Sequence, residues 1–298
     1  MVGIPTETVY GLAANALDPD AVVRIFQVKN RPSFDPLIVH TDSLAKASAF
    51  VTDIPDAARQ LAERCWPGPL TLLLPRKPVI PDLVTSGLNT VGVRVPQHPL
   101  TLKLLQSLPF PLAAPSANPF GYISPTTAQH VADQLGQQVP YILDGGPCRV
   151  GIESTIIGFS EGGPVVYRLG GMALEDLEAV VGPVAVRDHS TSNPLAPGML
   201  SSHYAPRKPF VLKSVDELLA FYPPERIGVL TFQRTTPRIP AENQRVLSPS
   251  GNPSEAAKNL FAAMRELDAL DLDIIAAELL PQTGLGRAIN DRLRRAAA

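Results

Sequence analysis

Five polar clusters stand in the first half of the sequence where core-building segments call for aliphatic side chains or ordinary turns. In the run Pro5-Thr6-Glu7-Thr8-Val9-Tyr10-Gly11-Leu12, two hydroxyls and a carboxylate follow an apolar start. Lys29-Asn30-Arg31-Pro32 leads through Asp35-Pro36 into Leu37-Ile38-Val39-His40. Such a basic, proline-locked loop suits phosphate: arginine offers a planar fork, lysine a mobile point charge, and proline lowers the cost of ordering. A solvated helix C-terminus, with cations near the dipole, fits the same residues. In Asn89-Thr90-Val91-Gly92-Val93-Arg94-Val95-Pro96, alternation sets the three valines on one face and Arg94 on the other. Arg94 then either meets solvent or is held by an anion. Ala113-Ala114-Pro115-Ser116-Ala117-Asn118, running on to Ser124-Pro125, places small hydroxyl and amide residues between a strand and a helix start. Backbone amides at such a start can receive an anion, and capping alone explains Ser124 and Thr126. Asp144-Gly145-Gly146 and Gly151-Ile152-Glu153-Ser154-Thr155, with Arg168-Leu169-Gly170 beyond, allow close ligand approach or a plain Asp-Gly turn.

These clusters need a scaffold. From Met1 to about Val186, short apolar runs alternate with helical periods, which is α/β texture. Strands are expected at 37–40, 70–74, 91–95, 112–114, 141–144, 154–159 and 165–168, and helices at 20–29, 54–65, 100–105 and 127–135. Residues 187–209 carry four prolines and almost no apolar periodicity, and read as a linker. The pattern restarts with strands at 210–213, 227–231, 245–247 and 274–277 and helices at 215–222, 254–270 and 286–296. That alternation predicts a small parallel-sheet domain. Gly284-Leu285-Gly286 opens the last helix, and without a third glycine it reads as turn punctuation.

Composition narrows the classes. The 298 residues include 32 prolines, roughly twice the usual share of about 5%, yet Pro and Gly together are too few for a low-complexity chain. A formal charge of -2, with 12 basic against 16 acidic residues before Arg187, argues against binding nucleic acid through bulk charge. Cys65 and Cys148 form no disulfide framework and no zinc spacing, which points to a reducing cytoplasm. No signal peptide and no membrane-length apolar run is expected. The sequence contains no GxSxG, HExxH or Walker A motif, so no covalent nucleophile announces itself.

Taken together, PTETVYGL, KNRP with DPLIVH, WPGPLTLLL, VGVRVP, APSANPFGYISPT, DGG with GIESTII, and YRLG resemble the L-threonylcarbamoyladenylate synthase family, Sua5/YrdC/YciO. PGMLSSHYAP and the second α/β unit resemble its longer, two-domain Sua5 form. The resemblance implies a YrdC-like twisted mixed sheet with a ligand cleft at 1–186, a linker or lid at 187–209, and a Rossmann-like α/β domain at 210–298. It implies a cytoplasmic nucleotidyltransferase that joins L-threonine, bicarbonate (or CO2) and ATP into threonylcarbamoyl-AMP and pyrophosphate, with Mg²⁺ accompanying ATP. The product would serve N6-threonylcarbamoyladenosine formation at position 37 of tRNA, through a downstream transferase and with at most a weak tRNA contact. The other reading of a YrdC-like domain is an RNA-binding or ribosome-maturation module.

By similarity, Thr8, His40, Arg94, Ala114 and Ser154 would contact threonine. Arg31, Asp35, Thr90, Ser116, Ser124, Arg168 and His203 would contact ATP, with Tyr204 beside His203 in the segment that folds over the nucleotide. Lys29, Arg31 and Arg94 would stabilise the charge that develops in the reaction. Metal ligands stay unassigned. The resemblance also leads one to expect a helix and the start of a strand ahead of PTETVYG, and basic residues where Ser201 and Ser202 stand.

Overall fold

The computed structural model describes residues 1–187, 195–199 and 202–298. Part of the expected linker, residues 188–194 with 200 and 201, including Ser201, lies outside the described residues. The chain divides into two units, Met1–Phe120 with Pro125–Leu200, and Gly121–Ser124 with Ser201–Ala298. No helix among the described residues is long and apolar enough to cross a membrane.

In chain order the first unit forms β1 (Val2–Ile4), β2 (Gly11–Asn15), α1 (Pro19–Lys29), β3 (Ile38–His40), α2 (Leu44–Ala47), α3 (Asp56–Cys65) and β4 (Leu70–Pro75). Then come α4 (Asp82–Thr85), β5 (Thr90–Arg94), α5 (Pro99–Ser107), β6 (Leu112–Ala113), α6 (Ala128–Leu135), β7 (Thr155–Ser160), β8 (Gly163–Arg168), α7 (Leu174–Val181) and β9 (Ala185–Val186). The strands make one nine-stranded mixed sheet in the order β1-β2-β6-β3-β5-β4-β7-β8-β9. Tyr141–Asp144 does not become a strand. Only Ile142 bridges to Gly3, and the chain then turns at Asp144, whose side chain accepts the Gly146 amide at 2.9 Å.

Local chemistry explains the helix that matters most to the site. Asp18 caps α1 by accepting from the Asp20 and Ala21 amides, Pro19 pre-sets the first turn, and Asn30 ends the helix in the left-handed region at φ 50°. Val22, Ile25 and Phe26 turn inward on one face and join a core with Tyr10, Leu12, Leu61, Leu72 and Val93. Leu61 is fully buried there, so truncation to alanine would cost about 2–5 kcal/mol.

The second unit forms β10 (Phe210–Val211), α8 (Val215–Leu218), β11 (Ile227–Thr231), β12 (Gln244–Val246), α9 (Pro253–Ala269), β13 (Ile274–Ala277) and α10 (Leu285–Ala296). Its four strands are all parallel, in the order β10-β13-β11-β12. α8 stops four residues short of the expected Tyr222. Ile227, Val229, Ile274 and Ala276 on one sheet face pack with Leu218 and Ile239 into a separate core.

Candidate active site

Register places the first group of candidate residues at one end of the large sheet. β3 and β5 run parallel, with His40 opposite Arg94. β4 runs antiparallel to β5 with Leu72 opposite Val93, so Thr71 comes level with Arg94. β7 runs parallel to β4, which brings Ser154 beside Thr71, their hydroxyls 2.8 Å apart. Arg168 pairs with Ile156 in β8 and returns to donate from Nε and a terminal nitrogen to the Ser154 carbonyl at 3.1 and 2.9 Å, and to its Oγ at 3.0 Å. Another Arg168 nitrogen donates to the Pro197 carbonyl at 3.2 Å. Strands β3, β4, β5 and β8 and the residue just before β7 thus contribute one polar side chain each to this end of the sheet.

Arg94 is 4% exposed. A solvent-facing Arg94, one of the two outcomes open from alternation, is overturned: its guanidinium meets the Glu7 carboxylate at 2.8 Å and donates to the Gly68 carbonyl at 3.3 Å. Glu7 is tucked in by its own loop. The Thr6 hydroxyl donates to the Val9 carbonyl at 2.6 Å and accepts the Thr8 and Val9 amides, and it lies 2.9 Å from the Thr8 hydroxyl. The Tyr10 hydroxyl donates to the Gly146 carbonyl at 2.8 Å and accepts the Gly145 amide, which ties this loop to the Asp-Gly-Gly turn. Burial pushes its phenol up to about 12.

His40 is buried, and its Nδ1 has no hydrogen-bond partner. Burial, followed by the neighbouring Arg94 charge, pushes the imidazole down to about 3, so it is neutral at physiological pH. Ala114 continues β6 and donates its amide to the Ile38 carbonyl at 3.0 Å.

A second group gathers at the end of α1. Lys29 is 1% exposed, so the solvated helix end gives way to a buried cation. Its ammonium donates to the Ser116 carbonyl at 2.6 Å and to the Asn118 carbonyl, which leaves one of three donors for a ligand. Burial, then the Arg31 charge, holds its pKa well below the usual lysine range, with Asp35 opposing. Arg31 clips its own loop, 2.8 Å from the Asp35 carboxylate and donating to the Asp35 and Pro36 carbonyls, while its guanidinium lies 5.8 Å from the Phe120 ring centroid. Segment 114–118 links the groups: Ala114 pairs with β3, Ala117 donates to the Tyr10 carbonyl, and the Ser116 and Asn118 carbonyls hold Lys29.

Thr90 opens β5, four residues and so about 13 Å from Arg94, and stands apart from the His40 group. Ser124 and His203 belong to the second unit. There Ser124 gives its carbonyl to Arg265 at 3.2 Å. The His203 amide donates to the Arg295 carbonyl at 3.1 Å, and Tyr204 lies beneath the guanidinium groups of Arg292 and Arg295 at 5.0 and 4.9 Å. Sequence reasoning missed Thr71 altogether, since its hydroxyl hides inside an apolar strand pattern, and it assigned no role to Glu7, whose partner is 87 residues away. Among the described residues no group of three or more His, Cys, Asp or Glu could hold a metal. Two buried carboxylates of the site, Glu7 and Asp35, are each paired with an arginine. These residues do not fit a protein-held metal.

The arrangement offers fixed cations, neutral donors and shielded carbonyls. It suits binding of carboxylate and phosphate groups and stabilisation of charge without a covalent intermediate. A family model described as "Telomere recombination", Sua5/YciO/YrdC, matches residues 1–170, and one described as "Threonylcarbamoyl-AMP synthase, C-terminal domain" matches residues 172–298. A threonylcarbamoyl-AMP synthase of Pyrococcus abyssi is 42% identical over 311 residues, covering 99% of this chain and 90% of the relative. One from Bacillus subtilis is 41% identical over 308 residues, covering 100% and 89%. The crystal structure of P. abyssi Sua5 complexed with L-threonine superposes with a TM-score of 0.90 at 41% identity, over 99% of this chain and 90% of that one. The chain therefore belongs to the Sua5/YciO/YrdC family, in the form that carries a Sua5 C-terminal domain.

Proposed function

We propose that this chain is a threonylcarbamoyl-AMP synthase, a nucleotidyltransferase that joins L-threonine, bicarbonate or CO2 and ATP, releases pyrophosphate, and supplies a downstream tRNA threonylcarbamoyl transferase in the cytoplasm. The observation that carries the reading is near-full-length similarity to enzymes of that name, joined to a sheet edge that gathers His40, Arg94, Ser154 and Arg168. The relative solved with L-threonine supports threonine as a substrate.

Arg94 pairs with the threonine carboxylate, held in place by Glu7 and the Gly68 carbonyl. His40, being neutral, adds no charge repulsion against the substrate amine, and its bare Nδ1 can accept an N–H. The amine attacks the carbon of CO2 as a neutral group, and the carbamate so formed must be trapped before water destroys it. Carbamate oxygen then attacks the α-phosphorus, the bond to the β-phosphate oxygen breaks, and charge grows on the departing pyrophosphate. Lys29, Arg31 and Arg168 supply fixed positive charge for that step. Mg²⁺ enters as part of the ATP substrate. Asp35 keeps the Arg31 fork in place, and Ser116, Thr90 and the Lys29 contacts shape the nucleotide side in this reading.

The test is pyrophosphate release in the presence of ATP, Mg²⁺ and bicarbonate. Release that requires L-threonine, with threonylcarbamoyl-AMP identified by mass, is the expected result. Threonine-independent release, or none, overturns the reading.

A further inference from the structure

We propose that the second unit carries a small-molecule site of its own, at the carboxyl edge of its parallel sheet, built to take an aliphatic α-amino acid as its zwitterion. The site shares no residue with the proposed catalytic group and does not rest on that reading.

Sheet register builds it. Val211 of β10 and Val229 of β11 both lie opposite Ala276 of β13. Two residues further along come Thr231, the last residue of β11, and Lys213 and Glu278, just beyond the ends of β10 and β13, and all three line one cavity with Val229 and Ala276. A rank of ammonium, carboxylate and hydroxyl thus stands over an aliphatic floor, where the strands of an open parallel sheet end and ligands bind. A cavity of about 380 Å³ opens there, walled by Leu212, Val215 and Leu279, and of the size usual for ligand sites. Thr231 is 6% exposed, lines this cavity, and its hydroxyl has no hydrogen-bond partner. A buried hydroxyl left unpaired is costly, and a ligand seated in the cavity would satisfy it. Glu278 is already oriented, one oxygen accepting the Phe232 amide at 3.0 Å.

The charges select the ligand. A phosphate is disfavoured: Ser214 donates from both amide and hydroxyl to the Glu217 carboxylate at 2.9 and 2.8 Å, so an anion already stands beside Lys213. The turn after β10, Leu212-Lys213-Ser214, has no glycine to wrap amides around a phosphate. An amino acid brings one carboxylate for Lys213 and one ammonium for Glu278, with no net charge to desolvate, and its side chain covers Val229 and Ala276.

The experiment is a methyl-detected NMR titration of the full chain with L-valine, using isobutylamine and isobutyrate as probes that each lack one charge. Saturable shifts at Val229, Leu212, Val215 and Leu279 are expected, with each probe about tenfold weaker or more. Lys213→Met and Glu278→Gln should each weaken valine binding by about tenfold, with the Leu260 and Leu267 methyls unmoved as proof that the unit stays folded. Thr231→Val should weaken it several-fold. Absence of shifts at these methyls, equal binding by inorganic phosphate, or unchanged affinity in both charge variants overturns the proposal. The pyrophosphate assay reads the catalytic proposal separately.

Discussion

Acid should destabilise the first unit through His40, and the size of the effect follows from where the residue sits. The folded protein resists protonating this buried imidazole until about pH 3, against an ordinary value of 6.5. The unfolded chain accepts the proton near 6.5, so between those limits it binds more protons than the folded state, and stability rises with pH. The contribution is complete above pH 6.5 and is lost as pH falls towards 3. At about 1.4 kcal/mol per pH unit, roughly 2 kcal/mol is gone by pH 5 and about 4 kcal/mol by pH 3. For a unit of this size about 2 kcal/mol corresponds to a fall in Tm of roughly 4–8 °C. Other groups titrate in the same range, so the measurement is a difference: thermal melts at pH 7.5 and pH 5 for the wild type and for His40→Gln. The variant should lose about 4–8 °C less on acidification, and the His40 ring resonance should stay flat from pH 8 to 4.5. An imidazole titrating near 6.5, or equal acid sensitivity in both proteins, would refute the reasoning.

Three further changes probe the same scaffold. Glu7→Gln strands the Arg94 guanidinium, buried 2.8 Å from its carboxylate, and should cost about 3–5 kcal/mol by thermal or urea melts. Adding Arg94→Met should restore part of that loss, and strictly additive costs would show that the pair is not coupled. Lys29→Met removes the ammonium that grips the Ser116 and Asn118 carbonyls; kcat/KM for ATP should fall by about 10²–10³, and a kcat/KM within a factor of three of wild type would remove Lys29 from the machinery. Gly170→Ala sets a Cβ 2.4 Å from the Glu153 carbonyl oxygen and the Ser154 carbonyl carbon, both backbone, so about 3 kcal/mol of stability should go, and an unchanged melt would mean the loop yields freely.

Much of the scaffold was legible because its signals are local. The helix expected at 20–29 formed as α1 over Pro19–Lys29, the one expected at 127–135 formed as α6 over Ala128–Leu135 with Thr127 as its cap, and the apolar runs at β4, β5, β11 and β13 became strands within a residue or two. β1 and β2 were not legible. Three- and five-residue strands flanking a Thr-Glu-Thr turn carry too few alternations to show a period, and pairing with each other, with β6 and with Ile142 is what holds them. The turn at Asp144 likewise looked like the end of a strand until only one bridge formed there.

The candidate site divides the same way. Ordered motifs in the chain determined which residue types were present for the chemistry, and resemblance determined the family. Tertiary structure alone decided their states: Arg94 inside rather than in solvent because Glu7 reaches it, Lys29 buried because carbonyls some 90 residues away accept it, Thr71 beside Ser154, and Gly121–Ser124 with the second unit. The physical reason is that a charge or hydroxyl can be buried only where its partner already stands. That partner is chosen by sheet register, which sums the whole fold, and no short window of sequence contains it.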